Sequence, residues 1–331
     1  MMWLKYGIDT DGNLVEIDDV PRGKTNLKCP YCGGDLIAKK GRIKESHFAH
    51  MGETCRAVGS RTPDDAPTLP LYDKFGVFLT IPELEILKRF WDGEDFSRDD
   101  LRPLAKKDVI YWNPYKRQLC KYDFTNQGEI AIGKMPLAKF TIFQRGSFKF
   151  KLMKFEDAVS DAYRSNSGAL RERIIDLQLY RAQIKRLLSQ TLYFLEVNAL
   201  GQRLHKIGVT ARPINERVEE VLRELRGHFQ NVSIQVLGTW SHWGSVEKYF
   251  KYRYQEFNYS IGTLTEYFKF DHISSVMRDL RTLKPKVFEQ FEIDIKDGSL
   301  SKIEERIEEE LRQKAEQERL VVRSQAIKTG M

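Results

Sequence analysis

The stretch Lys28-Cys29-Pro30-Tyr31-Cys32-Gly33-Gly34 constrains this chain more than any other. Two thiols sit two residues apart on a tight turn, and the glycines after them let backbone N–H groups point at sulfur. Ser46-His47-Phe48-Ala49-His50 follows, then Cys55. Zinc takes four soft or borderline ligands in a tetrahedron. Cys29 and Cys32 supply two. The other two come from His47, His50 and Cys55, and spacing leaves the choice open. His47 and His50 lie three apart, so on a helical turn both can reach one ion. A redox C-x-x-C belongs at a βα junction, which the surrounding pattern lacks. The expectation is structural zinc.

Short β-prone runs surround these ligands. Trp3 to Ile8 and Leu14 to Ile17 flank Asp11-Gly12, a hairpin signal. Leu36 to Lys40 and Ile43 to Glu45 are joined at Gly41. Residues 1–60 therefore read as a small zinc-binding β module. Residues 61–70 are polar and proline-rich and read as a linker, followed by a helix from Phe78 to Trp91 with Pro82 near its start.

The sequence of 331 residues suggests two or three domains, and 41% hydrophobic residues suffice for sizeable cores. The net charge of +7 favours an anionic partner. No apolar run approaches the roughly 18 residues that span a bilayer. Met1 to Lys5 lacks a signal-peptide pattern. With four cysteines in all, two of them in the C-x-x-C pair, a reducing, cytoplasmic location is expected.

The positive excess is concentrated in one place. Lys106 to Lys154 holds eleven Lys or Arg against three Asp or Glu. Aromatics are interleaved with the cations, among them Tyr111, Trp112, Tyr115 and Phe124. Alternation such as Phe148-Lys149-Phe150-Lys151 reads as strands with one basic face. Residues 61–160 are expected to form a mostly β basic domain that contacts DNA, with Lys116, Arg117, Lys121, Arg145, Lys149 and Lys151 neutralising phosphates and exposed rings stacking on bases. Cys120 reads as a buried structural cysteine.

A connecting segment, 161–190, is mostly helix. Leu170, Ile174, Leu177, Arg181, Ile184 and Leu188 are spaced as in a seam. The seam packs on the neighbouring domain or joins two chains. A homodimer through 168–190, or through a second charged helix at 301–323 in the terminal segment 299–331, is an expectation.

Thr191 to Val218 reads strand, turn at Gly201, strand, loop, helix, with Thr210 or Asn215 as the cap and Pro213 helping the start. Tyr193, Lys206 opposite it, and Arg217 on the first helical turn would form an anion site. Asn231 to Leu237 alternates like a third strand. Gly244 to Glu256 reads as a helix, and Ile261 to Phe270 follows with Glu266. The whole is an α+β, multidomain chain whose residues 191–298 form a small sheet flanked by helices.

Tyr193, Lys206-Ile207-Gly208, Arg217 and the run Gly244-Ser245-Val246-Glu247-Lys248 resemble the core of the GIY-YIG endonuclease superfamily, in the branch common in phages and mobile elements that reads K-I-G. The first motif departs from it, with Thr191-Leu192-Tyr193 in place of Gly-Ile-Tyr, and there is no second motif tyrosine. The resemblance implies a DNA endonuclease. Tyr193 would accept or relay a proton, aided by Lys206, while Arg217 stabilises the transition state and Glu247 binds catalytic magnesium or manganese. Residues 1–60 resemble the N-terminal domain of competence protein CoiA, which implies a zinc-stabilised DNA-processing accessory domain. The altered motif supports a rival reading, a non-catalytic DNA-binding or recombination accessory protein.

Overall fold

The computed structural model describes residues 4–41, 45–59, 65–76, 78–116, 121–199 and 201–298, with Glu305, Ile307 and Glu309 beyond them. Two compact units emerge, each discontinuous in sequence. The first takes the described residues of 1–68, 149–185 and 289–331; the second takes those of 69–148 and 186–288.

The first unit opens with β1 (Tyr6–Ile8), β2 (Leu14–Glu16), β3 (Gly23–Lys28), β4 (Asp35–Lys39) and β5 (His47–His50). They form one antiparallel sheet in the order β2-β1-β3-β4-β5. Gly12 takes φ +84°, the left-handed turn that the Asp-Gly pair signalled. A bridge between Leu4 and Phe48 brings β5 back to the chain just before β1, so the sheet curls on itself. Its interior is Leu4, Ile17, Leu27, Leu36, Ala38 and Phe48. Gly7 is required there, because a Cβ would stand 2.9 Å from the Leu27 Cβ. A short helix, α1 (Arg56–Gly59), puts Val58 into the same core. Ala66 joins it too, so part of the expected linker is packed.

The stretch expected to be mostly β is mostly helical. It runs α2 (Ile81–Trp91), α3 (Arg98–Lys106), a two-stranded ribbon of β6 (Ile110–Trp112) and β7 (Tyr122–Phe124), α4 (Asn126–Ala131) and α5 (Leu137–Arg164). Capping boxes at Thr80–Glu83 and Ser97–Asp100 start the first two helices. The alternation at 148–151 misled because four residues are too few to separate a period of 2 from 3.6. Over the whole of α5 the buried positions Phe140, Gln144, Phe148, Leu152, Phe155, Val159 and Ala162 step by four and three, which only a helix satisfies. Phe150 is exposed.

After α6 (Leu170–Ser189) come β8 (Thr191–Ala199), β9 (Gln202–Thr210), α7 (Ile214–Arg226) and β10 (Val232–Ser241). Then α8 (Glu247–Arg253) precedes the hairpin of β11 (Asn258–Ile261) and β12 (Leu264–Phe268), followed by α9 (Ser274–Arg281) and α10 (Gln290–Asp297). Leu177 and Ile184 of the expected seam are buried in the first unit. The 301–323 helix lies outside the described residues except at Glu305, Ile307 and Glu309.

The second unit's sheet is antiparallel in the order β10-β8-β9-β12-β11. Alternation along β8 divides its side chains between two cores. Leu192 and Phe194 pack with Tyr249, Phe250, Val276 and Leu280. Tyr193, Leu195 and Val197 pack with Val221 and Leu225 of α7. Neither expected cap serves α7. Pro213 stands at its N-cap, and Thr210 Oγ1 instead accepts from the Arg212 N–H at 3.0 Å. Among the described residues, no helix is long and apolar enough to cross a membrane.

Candidate functional site

Four metal-ligating side chains meet in the first unit. The donor atoms of Cys29, Cys32, His50 and Cys55 all lie within 4.8 Å of one another. Sulfurs around a tetrahedral zinc with bonds of about 2.3 Å are about 3.8 Å apart, so the set fits that ion and its soft donors suit it. The local sequence builds this cluster. Gly33 takes φ +72° and closes the turn with its N–H on the Cys29 carbonyl at 2.9 Å. The Gly34 N–H donates to Cys32 Sγ at 3.4 Å. Bulk at Gly34 would crowd both Cys32 Sγ and the His50 ring. Burial pushes the Cys29 thiol up to about 12, so a bound cation must displace its proton.

His47 is not in the cluster. The segment is the strand β5 and not a helical turn, and in a strand residues three apart face opposite sides. His50 turns to the sulfurs, 3.3 Å from Cys32 Sγ, while His47 Nδ1 stands 2.7 Å from the Glu45 carbonyl oxygen. Tyr31, inside the knuckle, donates its hydroxyl to the buried Asp176 carboxylate of α6 at 2.7 Å. That partner is 145 residues distant and has no sequence signal.

The second unit gathers the other site residues. Tyr193 pairs in register with Gly208, and Lys206 pairs with Leu195, so Lys206 is one step diagonal to Tyr193 rather than opposite it. Gly208 is obligatory, because a Cβ there would collide with the Tyr193 ring at 2.3 Å from its oxygen. Arg217 Nε donates to Tyr193 Oη at 3.1 Å, and its NH1 reaches Glu220 at 2.8 Å. Burial raises the Tyr193 pKa, Arg217 opposes the rise, and the charges of Glu247 and Glu266 add to it. The phenol therefore keeps its proton at neutral pH.

Lys206 is buried and donates to Glu266 Oε2 at 2.9 Å. Lys251 Nζ bridges Glu247 and Glu266 at 2.8 Å each. One ammonium therefore holds two hard carboxylates, the donor chemistry that magnesium or manganese prefers. Partial burial works against the Glu266 charge, but Lys251 and Lys206 outweigh it and hold its pKa down at about 2. Sequence reasoning missed Lys251 and Glu220, although the Glu247–Lys251 and Arg217–Glu220 spacings put each pair on one helix face.

Tyr267 was also missed. It pairs in register with Lys206 on the neighbouring strand and lies in the same core as Tyr193. Its buried hydroxyl has no hydrogen-bond partner among the described residues. Asn258 and His242 stand outside this group: Asn258 donates to the Thr265 carbonyl, and His242 Nδ1 faces that of Leu188.

The cations expected to meet phosphates are largely engaged within the protein. Lys116 pairs with Asp123 at 2.8 Å, Lys149 with Glu289 at 3.0 Å, and Lys151 donates to Thr68. Arg145 and Lys121 are half-buried. Arg117 and Cys120 lie outside the described residues. Tyr111, Trp112 and Tyr115 are exposed on and beside the β6–β7 ribbon, whereas Phe140 and Phe148 are core.

Residues 15–58 match the family model for the competence protein CoiA N-terminal domain, a span that contains all four clustered ligands. No curated protein and no solved structure matches the chain.

Proposed function

We propose that this chain is a metal-dependent DNA endonuclease of the GIY-YIG type, carrying a structural zinc module. The observation that carries the reading is that Arg217 bonds the Tyr193 phenol while the Glu247 charge acts on the same group. The three residues come from a strand and two helices far apart in sequence. The small residue that this arrangement needs is Gly208 of the K-I-G run.

In this reading a phosphate replaces Glu220 on Arg217, whose fork of donors then stabilises charge on the phosphoryl oxygens. The movement uncovers Tyr193 Oη. The raised pKa makes the phenol a relay rather than a standing base. As the water oxygen bonds to phosphorus, its proton passes to Tyr193 while the phenol's own proton passes to a phosphate oxygen. The departing sugar oxygen takes a proton from solvent. Tyr267, with no internal acceptor for its hydroxyl, donates to the same phosphate. A divalent cation held by Glu247, with Glu266 behind it, supplies Lewis-acid stabilisation when bound. The buried Lys206 keeps Glu266 ionised and in place.

One observation favours a second reading, a DNA-binding accessory protein with a silent nuclease domain. Tyr193 is 1% exposed, and Arg217, Glu247 and Lys206 all have internal partners. Incubating the purified chain with supercoiled plasmid, with and without magnesium or manganese, separates the two. Metal-dependent nicking supports the first reading. Binding without nicking under every metal supports the second.

A further inference from the structure

The segment from His272 to Phe288 carries Arg278, Arg281, Lys284 and Lys286 and a single acid, Asp279. That acid is spent internally. Asp279 is buried and accepts from the Leu137 N–H at 3.0 Å, Arg253 Nε at 2.9 Å and the Tyr254 hydroxyl at 3.0 Å. Val276 and Leu280 turn the inner face of α9 into the core that also holds Val246, Tyr249 and Phe250, the neighbours of Glu247.

The outer face is different. Arg278, Arg281 and Lys284 line an open groove of about 630 Å³, with Ser274 and Thr282 adding hydroxyls. All five are exposed, and none of the three cations has a carboxylate partner among the described residues. Lys116, Lys139 and Lys107 of the same unit, by contrast, are matched to Asp123, Glu129 and Glu83. Unmatched like charges side by side on a helix cost stability, so a concave row of them is retained for an anionic occupant. Arg278 and Arg281, three apart on one helical face, are roughly 5–6 Å apart at Cβ. A row of that kind suits successive backbone phosphates.

We infer that this groove, and not the lysine-rich stretch at 106–154, holds the sugar-phosphate backbone of the nucleic acid. The inference rests on the nucleic-acid half of the proposed function and is independent of catalysis. Contacts are to phosphate alone, so binding through the groove is strongly salt-dependent and indifferent to sequence.

The test is equilibrium binding of the full zinc-loaded chain to a fluorescent DNA duplex with no added magnesium or manganese, across a salt series, for wild type, R278Q/R281Q/K284Q and the charge-matched control K74Q/K88Q/R102Q. None of the six side chains belongs to the buried core, and equal thermal midpoints verify folding. The groove variant is expected to bind at least about tenfold more weakly at low salt, with the slope of log affinity against log salt reduced by about three. The control should stay within about twofold. A groove variant that binds like wild type, a control that loses as much, or a wild type that binds no duplex overturns the inference. Because omitting magnesium and manganese removes catalysis from the measurement, a chain that binds through the groove yet never cleaves sinks the nuclease reading alone. A chain that cleaves while the groove variant binds normally sinks this inference alone.

Discussion

The knuckle at Cys29 and the phenol site at Tyr193 are built on opposite plans. At the knuckle, four ligands point at one another with no cation of the protein's own between them, and three of the four are thiols. At the phenol site every charge is already matched: Arg217 with Glu220, Lys206 with Glu266, Lys251 with both Glu247 and Glu266. The first arrangement fits a zinc ion, which would hold its four ligands together. The second is a folded network that stands without a ligand and must give up internal partners to engage one.

The sharpest way to break this comparison is to remove zinc. Structural zinc in small modules binds with about 10–16 kcal/mol near neutral pH, and that free energy is folding free energy. Chelation or C29S/C32S should therefore unfold the sheet of the first unit, seen as lost amide dispersion in NMR spectra. Metal analysis of the native chain should give one zinc. His50→Ala should lose it and His47→Ala should keep it, since only His50 faces the sulfurs. Equal retention by both variants would remove His50 from the site.

Next in size are the positions to which the proposed function gives catalytic roles. Tyr193→Phe, Arg217→Ala and Glu247→Ala should each cut nicking by about a hundredfold or more, the usual loss when one transition-state contact of about 3 kcal/mol is removed. Folding should persist, because no structural ion is lost. Wild-type rates in all three would dissolve the contrast between the sites.

Glu266→Gln tests the internal matching. It leaves the buried Lys206 ammonium facing a neutral amide, at a cost of about 1–3 kcal/mol in urea unfolding. The same group sets a pH dependence. Its folded pKa of about 2 lies below the ordinary carboxylate value, so its contribution is complete above that ordinary value and is lost as pH falls towards 2. Acid unfolding of E266Q should lack this component; an unchanged acid limb would assign it elsewhere. Tyr267→Phe is the subtlest. It deletes an unpartnered hydroxyl, so stability should hold or rise slightly while nicking falls about tenfold. Full activity in Y267F would confine Tyr267 to the core.

The same contrast decides what could be read from sequence. The knuckle was legible because its thiols lie on one short turn and zinc accepts few donor types. Only the choice among His47, His50 and Cys55 stayed open, because it turns on H-F-A-H being a strand paired to β4 rather than a helical turn. The strand–turn–strand–helix order at 191–226 was legible through its apolar runs and Gly201. The central region was not, since four alternating residues outweighed a seven-position helical stripe along α5. Nor was the fate of its lysines, because their partners Asp123 and Glu289 are set by folding. Tyr267 meets Lys206 only through the pairing of β12 with β9, 61 residues apart in sequence, and such register has no local signal.

The most direct measurement is nicking of supercoiled plasmid by the purified zinc-loaded chain, titrated with magnesium and manganese, beside the E247A variant. The account predicts nicking that requires the added metal and falls at least about a hundredfold in E247A. No nicking by the wild type at any metal concentration, or equal nicking by E247A, would contradict it.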